Sequence, residues 1–312
     1  MQHLSETLTI TAESAKDAEG QTVLTSASSA SSAVTSPPFL KLALGLAVLA
    51  ALVGTVRLSA DWPQLLGPTR NGVYSGPPLA DSWPAGGPRV VWRKQVGQGF
   101  AGPAVAGGRM ILFHRIGREE IVESLDAATG ASQWRHAYPT TYRDDFGFDE
   151  GPRAVPVVAG GRVFTFGAEG VLSALDLANG RQIWSVDTKR RFSVPKGFFG
   201  QAGSPLVEGG RVIANVGGSD SGKSAGIVSF SAETGAVQWT ATNHEASYSS
   251  PVSATLGGKQ VVLFFTRQAL VGLDPATGTP LFQRTWRSRS QASVNAASPV
   301  IVNDLIFISA TY

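Results

Sequence analysis

The chain has 312 residues, 43% hydrophobic and 16% charged, which is ample for a packed core and too weakly charged for a largely disordered chain. Its net charge is +3 without a basic run, so it carries no electrostatic footprint for nucleic acid. The absence of cysteine excludes disulfides, thiolate metal sites and a lipidated N-terminal cysteine.

Residues 1–38 are rich in Ser, Thr and Ala, as in Ser26-Ala27-Ser28-Ser29-Ala30-Ser31-Ser32, and are predicted to be a disordered leader. An apolar block follows from Leu42 to Val56, extended upstream by Phe39 and Leu40 around Lys41. A membrane-spanning helix needs roughly 17–25 apolar residues, whereas the apolar core of a signal peptide needs roughly 7–15. Residues 39–57 fall between, and predict a hydrophobic helix that is a transmembrane anchor or a signal segment. Lys41 snorkelling to the interface favours the anchor. Leu58-Ser59-Ala60 is an imperfect cleavage site, and a later start codon with a shorter signal is the third reading. Residues 58–87 form a lead-in segment.

Beyond it the sequence repeats. Pro103, Pro156, Pro205, Pro251 and Pro299 open related stretches, spaced 53, 49, 46 and 48 residues apart. Three of these read Pro-x-Val-x-Gly-Gly-Arg, the fourth carries a short insertion before Gly257-Gly258, and the fifth has Asn303-Asp304 at the turn. A second element keeps a fixed phase: Asp126-Ala127-Ala128-Thr129-Gly130 with Trp134, and Asp176-Leu177-Ala178-Asn179-Gly180 with Trp184. It returns as Ser231-Ala232-Glu233-Thr234-Gly235 with Trp239, and as Asp274-Pro275-Ala276-Thr277-Gly278 with Phe282. Pro can start a strand without losing a ladder donor. Gly-Gly makes a tight turn, the Asp oxygen accepts from turn amides, and the Gly takes the left-handed position. Four strands per period of about 49 residues describe one propeller blade.

The Asp-x-x-Thr-Gly-x-x-x-Trp element resembles the pyrroloquinoline-quinone-type (PQQ-like) repeat of quinoprotein alcohol dehydrogenases and of the propeller lipoprotein of outer-membrane assembly. Asp61-Trp62-Pro63-Gln64, Gly67-Pro68-Thr69-Arg70-Asn71-Gly72, Tyr248-Ser249-Ser250-Pro251 and Asn295-Ala296-Ala297-Ser298-Pro299 are similar to stretches of the same group. The resemblance covers roughly residues 61–312. It implies an all-β propeller of four-stranded antiparallel blades over 88–312, seven or eight when complete, with about five present. It also implies that Trp134, Trp184 and Trp239 lie between blades. The last repeat stops after its second strand, so the chain is expected to be a fragment.

The candidate chemistry is sparse. Asp126, Asp176 and Asp274 recur identically and are turn residues. Arg143-Asp144-Asp145-Phe146-Gly147-Phe148-Asp149-Glu150 lacks the ligand spacing of an EF-hand loop and reads as a solvated loop. Gly217-Gly218-Ser219-Asp220-Ser221-Gly222-Lys223-Ser224 ends like a phosphate loop, but its first Gly is missing and no helix follows, so a hairpin is expected. The four histidines share no ligand spacing. No catalytic or metal residue is assigned, and no cofactor. PQQ with calcium, which the resemblance brings to mind, lacks both the disulfide and a recognisable carboxylate cluster. Residues just before the repeat prolines face the axis, and Arg153, Tyr248 and Asn295 offer a cation, a phenol and an amide at one channel mouth. They bind a small polar ligand there or satisfy local backbone groups. The expected function is a non-catalytic extracytoplasmic scaffold or binding domain. Its partner would be a protein or small polar ligand, with membrane contact through residues 39–57 or release to the periplasm after cleavage. The rival is a PQQ-dependent dehydrogenase.

Overall fold

Each Pro-to-Trp period folds into one antiparallel sheet whose four strands follow chain order. The computed structural model describes residues 7–11, 61–287, 290, 294–303 and 305–310. The apolar block 39–57 and most of the leader lie outside the described residues. Blade I holds β3 (Ala104–Ala106), β4 (Arg109–Ile116), β5 (Glu119–Asp126) and β6 (Ser132–Pro139). Blade II holds β7 (Val157–Ala159), β8 (Arg162–Phe166), β9 (Val171–Asp176) and β10 (Gln182–Asp187). Blade III holds β11 (Leu206–Glu208), β12 (Arg211–Asp220), β13 (Lys223–Ser231) and β14 (Val237–Ala241). Blade IV holds β15 (Val252–Leu256), β16 (Lys259–Phe265), β17 (Ala269–Leu273) and β18 (Pro280–Thr285). Two strand pairs flank this array. β1 (Thr7–Thr11), inside the stretch read as a disordered leader, pairs with β2 (Val90–Gln95), and β19 (Val300–Val302) pairs with β20 (Leu305–Phe307). Among the described residues the one helix is α1 (Thr188–Arg191), four residues long and capped by Asp187. The chain is thus an all-β propeller. No described helix is long and apolar enough to cross a membrane.

The core lies between the blades. Successive side chains of a strand point to opposite faces of its sheet, so a strand buried on both faces can feed two neighbours. In β16, Val262 and Phe264 pack with Leu206, Ile213 and Ile227 of blade III, while Val261, Leu263 and Phe265 pack towards Ile301 and Ile306. The same division places Phe164 and Phe166 of blade II against Val212, Ala214 and Val216 of blade III. Second and third strands are therefore buried along most of their length, whereas the fourth strands are half-buried in blade I and exposed in blade IV.

The repeated turn explains its own sequence. Asp126 Oδ1 accepts from the Ala128 and Thr129 amides at 3.1 and 2.8 Å, and Asp274 does the same for Ala276 and Thr277 at 2.7 and 3.0 Å. The Thr129 hydroxyl and amide hold the Asp126 carboxyl below its usual range. Ser231 replaces Asp in blade III and accepts equivalent bonds at 3.3 Å. The closing glycines, Gly130, Gly180, Gly235 and Gly278, all have φ of +72 or +73°. They serve a second purpose. A Trp from the preceding fourth strand lies flat over each one: Trp92 over Gly130, Trp134 over Gly180, Trp184 over Gly235 and Trp239 over Gly278. A β-carbon there would come no farther than 2.8 Å from the ring. Each indole then donates across the blade gap, Trp92 Nε1 to Ala127 O, Trp134 to Leu177 O, Trp184 to Ala232 O and Trp239 to Pro275 O, at 2.9–3.1 Å. The stretch resembling a phosphate loop is the β12–β13 hairpin, with Ser221 and Gly222 both left-handed.

Candidate functional site

Each fourth strand is followed by a connection to the first strand of the next repeat, and three of these connections carry Arg153, Tyr248 and Asn295. Arg153 donates to the Gly151 and Asp149 carbonyls at 2.7 Å each and pairs with Asp144 at 3.3 Å. Its guanidinium also sits 5.1 Å from the Tyr142 ring and 5.7 Å from Phe100. Asn295 is buried, and its amide donates to the Thr266 and Trp286 carbonyls at 2.7 and 3.2 Å. Its own carbonyl accepts from Tyr248 and Ser249, so Tyr248 and Asn295 are neighbours. The Tyr248 hydroxyl accepts from the Phe199 amide at 2.8 Å, and burial pushes its phenol up. The polar groups of Arg153 and Asn295 are therefore spent on backbone and Asp144, whereas Tyr248 faces open space.

That space is a groove of about 400 Å³ lined by Asp145, Lys196, Phe198, Glu245, Tyr248 and Arg267, among others. Along its rim runs an aromatic cluster. Phe146 stacks on Phe148 at 6.3 Å and meets Phe199 at 5.2 Å, and Phe199 lies 5.6 Å from Tyr248. Arg267 covers Phe198 at 5.2 Å. Phe146 is 52% exposed, Phe148 72% and the nearby Phe100 62%. Single exposed apolar residues are ordinary, but contiguous exposed aromatics mark a contact surface. The sequence reading passed over these phenylalanines because Phe146 and Phe148 sit in an acidic loop and Phe198-Phe199 fall between repeats.

The acidic loop is committed to structure. Asp144 accepts from the Phe146 and Phe148 amides at 3.2 and 2.8 Å and pairs with Arg153. Asp149 accepts from Gly99 and Gly151, and Glu150 pairs with Arg143 and Arg115. These loop carboxylates are thus engaged by arginines and backbone amides. Among the described residues no group of three or more His, Asp or Glu side chains converges.

Two further devices organise the axis. The serine before a repeat proline ties one blade to the last: Ser204 Oγ accepts from Val155 N at 2.8 Å, and Ser250 Oγ from Ser204 N at 2.9 Å. The lead-in crosses the first strands. Trp62 exchanges bonds with Val105 of blade I, and Pro63 O accepts from Val158 of blade II. The buried Arg70 donates to the carbonyls of Pro205 and Pro251 and to Gln64. Burial lowers this guanidinium to about 9, so it remains charged at neutral pH. Arg70 was legible only as part of a resembling motif, because nothing in its local spacing marks it as buried.

Four-strand blades closed by Asp-x-x-Thr-Gly turns and inter-blade tryptophans define a PQQ-like repeat propeller. The chain belongs to the family described as outer membrane protein assembly factor BamB, which matches residues 118–312. It is 29% identical over 211 residues to outer membrane protein assembly factor BamB of Burkholderia pseudomallei, covering 66% of this chain and 48% of that protein. It is 32% identical over 146 residues to quinohemoprotein alcohol dehydrogenase ADH-IIG of Pseudomonas putida, covering 45% of this chain and 19% of that enzyme. The crystal structure of BamB from Moraxella catarrhalis superposes with a TM-score of 0.49 at 18% identity, covering 70% of this chain and 61% of that one. The chain spans about half the length of the first of these relatives.

Proposed function

We propose that this chain is a non-catalytic, extracytoplasmic scaffold that docks another protein through the aromatic rim of the channel mouth. The exposed Phe146–Phe148 pair beside the Tyr248 groove carries this reading. Buried aromatic anchors dominate protein interfaces, and Arg267 and Lys196 beside them supply the polar surround. The BamB relative is by its name an assembly factor, which favours a protein partner over a small substrate. The apolar segment 39–57 is the export element. The dehydrogenase alternative rests on relatives that share less of the chain.

The test is a photo-crosslinking residue placed at position 148, in the full chain and in its native cells. A control is placed at position 160, in an open turn of blade II. A discrete protein adduct from 148, absent from 160 and abolished by Phe146→Ser, is the expected result. Quinone- and calcium-dependent dye reduction by the purified protein, or no adduct at 148, overturns the reading.

A further inference from the structure

The first strand of each blade pairs within its sheet on one side only, with the second strand, so its other edge carries groups that need partners from elsewhere. Pro205 and Pro251 precede the first strands β11 and β15 at the same repeat position. A proline has no N–H, so there each edge offers a carbonyl and no donor. One side chain meets both carbonyls. Arg70 sends one terminal nitrogen to Pro251 O at 2.8 Å and the other to Pro205 O, while its Nε reaches Gln64 Oε1 at 2.8 Å. Three donors of one planar group thus meet three neutral acceptors. Among the described residues no carboxylate pairs with this guanidinium, Glu208 included, which lines a cavity of about 260 Å³ beside it. The backbone is bent to this purpose. Arg70 has φ +53°, in the left-handed region that residues other than glycine rarely adopt, and the three side-chain bonds offset that strain.

We propose that the carbonyls of Pro205 and Pro251, with Gln64 Oε1, form a recognition site for a planar guanidinium cation, which Arg70 fills from within the chain. The ligand class follows from the acceptors. They surround one group from three directions, and none of them is charged. A guanidinium presents its donors in a fixed plane and is weakly hydrated, so it suffers little on burial among neutral oxygens. An ammonium is a compact and strongly hydrated point charge, and loses more water than such a set replaces. Oxygens without a carboxylate therefore select by shape and not by charge alone. The site admits a free guanidinium ion, or the side chain of another arginine, once that of Arg70 is withdrawn. The cavity beside Gln64 and Arg70 gives such a group its way in.

Chemical rescue tests this directly. Arg70→Gly empties the site and relieves the left-handed backbone at once. The full chain is unfolded with urea while guanidinium chloride is added at low millimolar concentrations, far below those that denature. The midpoint of Arg70→Gly is expected to lie below that of the unsubstituted protein. It should climb with the logarithm of guanidinium concentration and recover most of the gap, as linkage requires of a ligand bound by the folded state alone. Ammonium chloride and tetramethylammonium chloride at the same ionic strength should leave it unmoved, and the unsubstituted protein should respond to none of the three. Arg70→Lys keeps a charge but loses the planar fork, so its midpoint should fall like that of Arg70→Gly. Where Arg70→Gly does not fold in buffer, guanidinium but not ammonium should restore soluble folded protein, and failure to do so counts as no dependence. No guanidinium dependence in Arg70→Gly, an equal response to ammonium, an equal response in the unsubstituted protein, or an undiminished midpoint for Arg70→Lys overturns the proposal.

Discussion

Two glycines of blade II separate the two roles that glycine has in this repeat. Gly160 lies in the turn between first and second strands at φ +55°, with no atom within 4 Å of where a β-carbon would stand. Gly180 closes the Asp176 turn at φ +73°, beneath the Trp134 ring. Gly160→Ala therefore meets only the left-handed backbone, a cost of about 1–2 kcal/mol. Gly180→Ala meets the same backbone cost plus an inserted methyl against a seated indole, which adds about 1–3 kcal/mol of overpacking. The expected losses are about 1–2 and about 2–5 kcal/mol respectively, read from equilibrium denaturant unfolding as midpoint and slope. Trp134→Leu frees the space above Gly180, so the double variant Gly180→Ala/Trp134→Leu should lose less than the sum of its parts, by about 1–3 kcal/mol. Equal losses for Gly160→Ala and Gly180→Ala, with additive double variants, would refute the claim that the turn glycine exists to seat the tryptophan.

Three further outcomes follow from buried polar groups. Arg70→Met leaves the Pro205 and Pro251 carbonyls without their cation and should cost about 3 kcal/mol of unfolding free energy, consistent with breaking a buried charge-assisted pair. Burial lowers His114 to about 4, and its Nδ1 accepts from the Gly97 amide at 2.8 Å, so it folds as the neutral ring. The unfolded chain then binds more protons between the two pKa values. Stability should fall as pH drops from about 6.5 to about 4, by up to roughly 3 kcal/mol from this group, and His114→Asn should flatten that stretch of the pH–stability curve. Tyr138 donates to Glu120 at 2.5 Å, while Glu120 accepts from Ala168 of the next blade at 2.9 Å. Burial raises the Glu120 carboxyl, so Tyr138→Phe should raise it further and cost about 1–3 kcal/mol, measurable by the same unfolding assay.

How much was legible depended on whether the information was local. The repeat period, the turn chemistry of Asp126, Asp176 and Asp274, and the left-handed glycines are set by hydrogen bonds and dihedrals within five or six residues, so the sequence alone determined the blade. Trp134, Trp184 and Trp239 were visible through their phase. Trp92 shares that phase but has no Asp turn before it, and only its seat over Gly130 identifies it. Arg153, Tyr248 and Asn295 were chosen by their place before the repeat prolines, and all three lie in connections between blades. What their polar groups do there was not legible, since the carbonyls that receive Arg153 and Asn295 depend on how neighbouring loops close. The aromatic rim required Phe146, Phe148, Phe198, Phe199 and Tyr248 to converge from three connections, and only the rotation of one blade onto the next brings them together. The same holds for Arg70, whose partners lie 135 and 181 residues away. A sequence specifies each blade through local geometry. Which surfaces meet across blades is decided by packing between sheets, where contact partners are set by the whole array and leave no periodic trace in the chain.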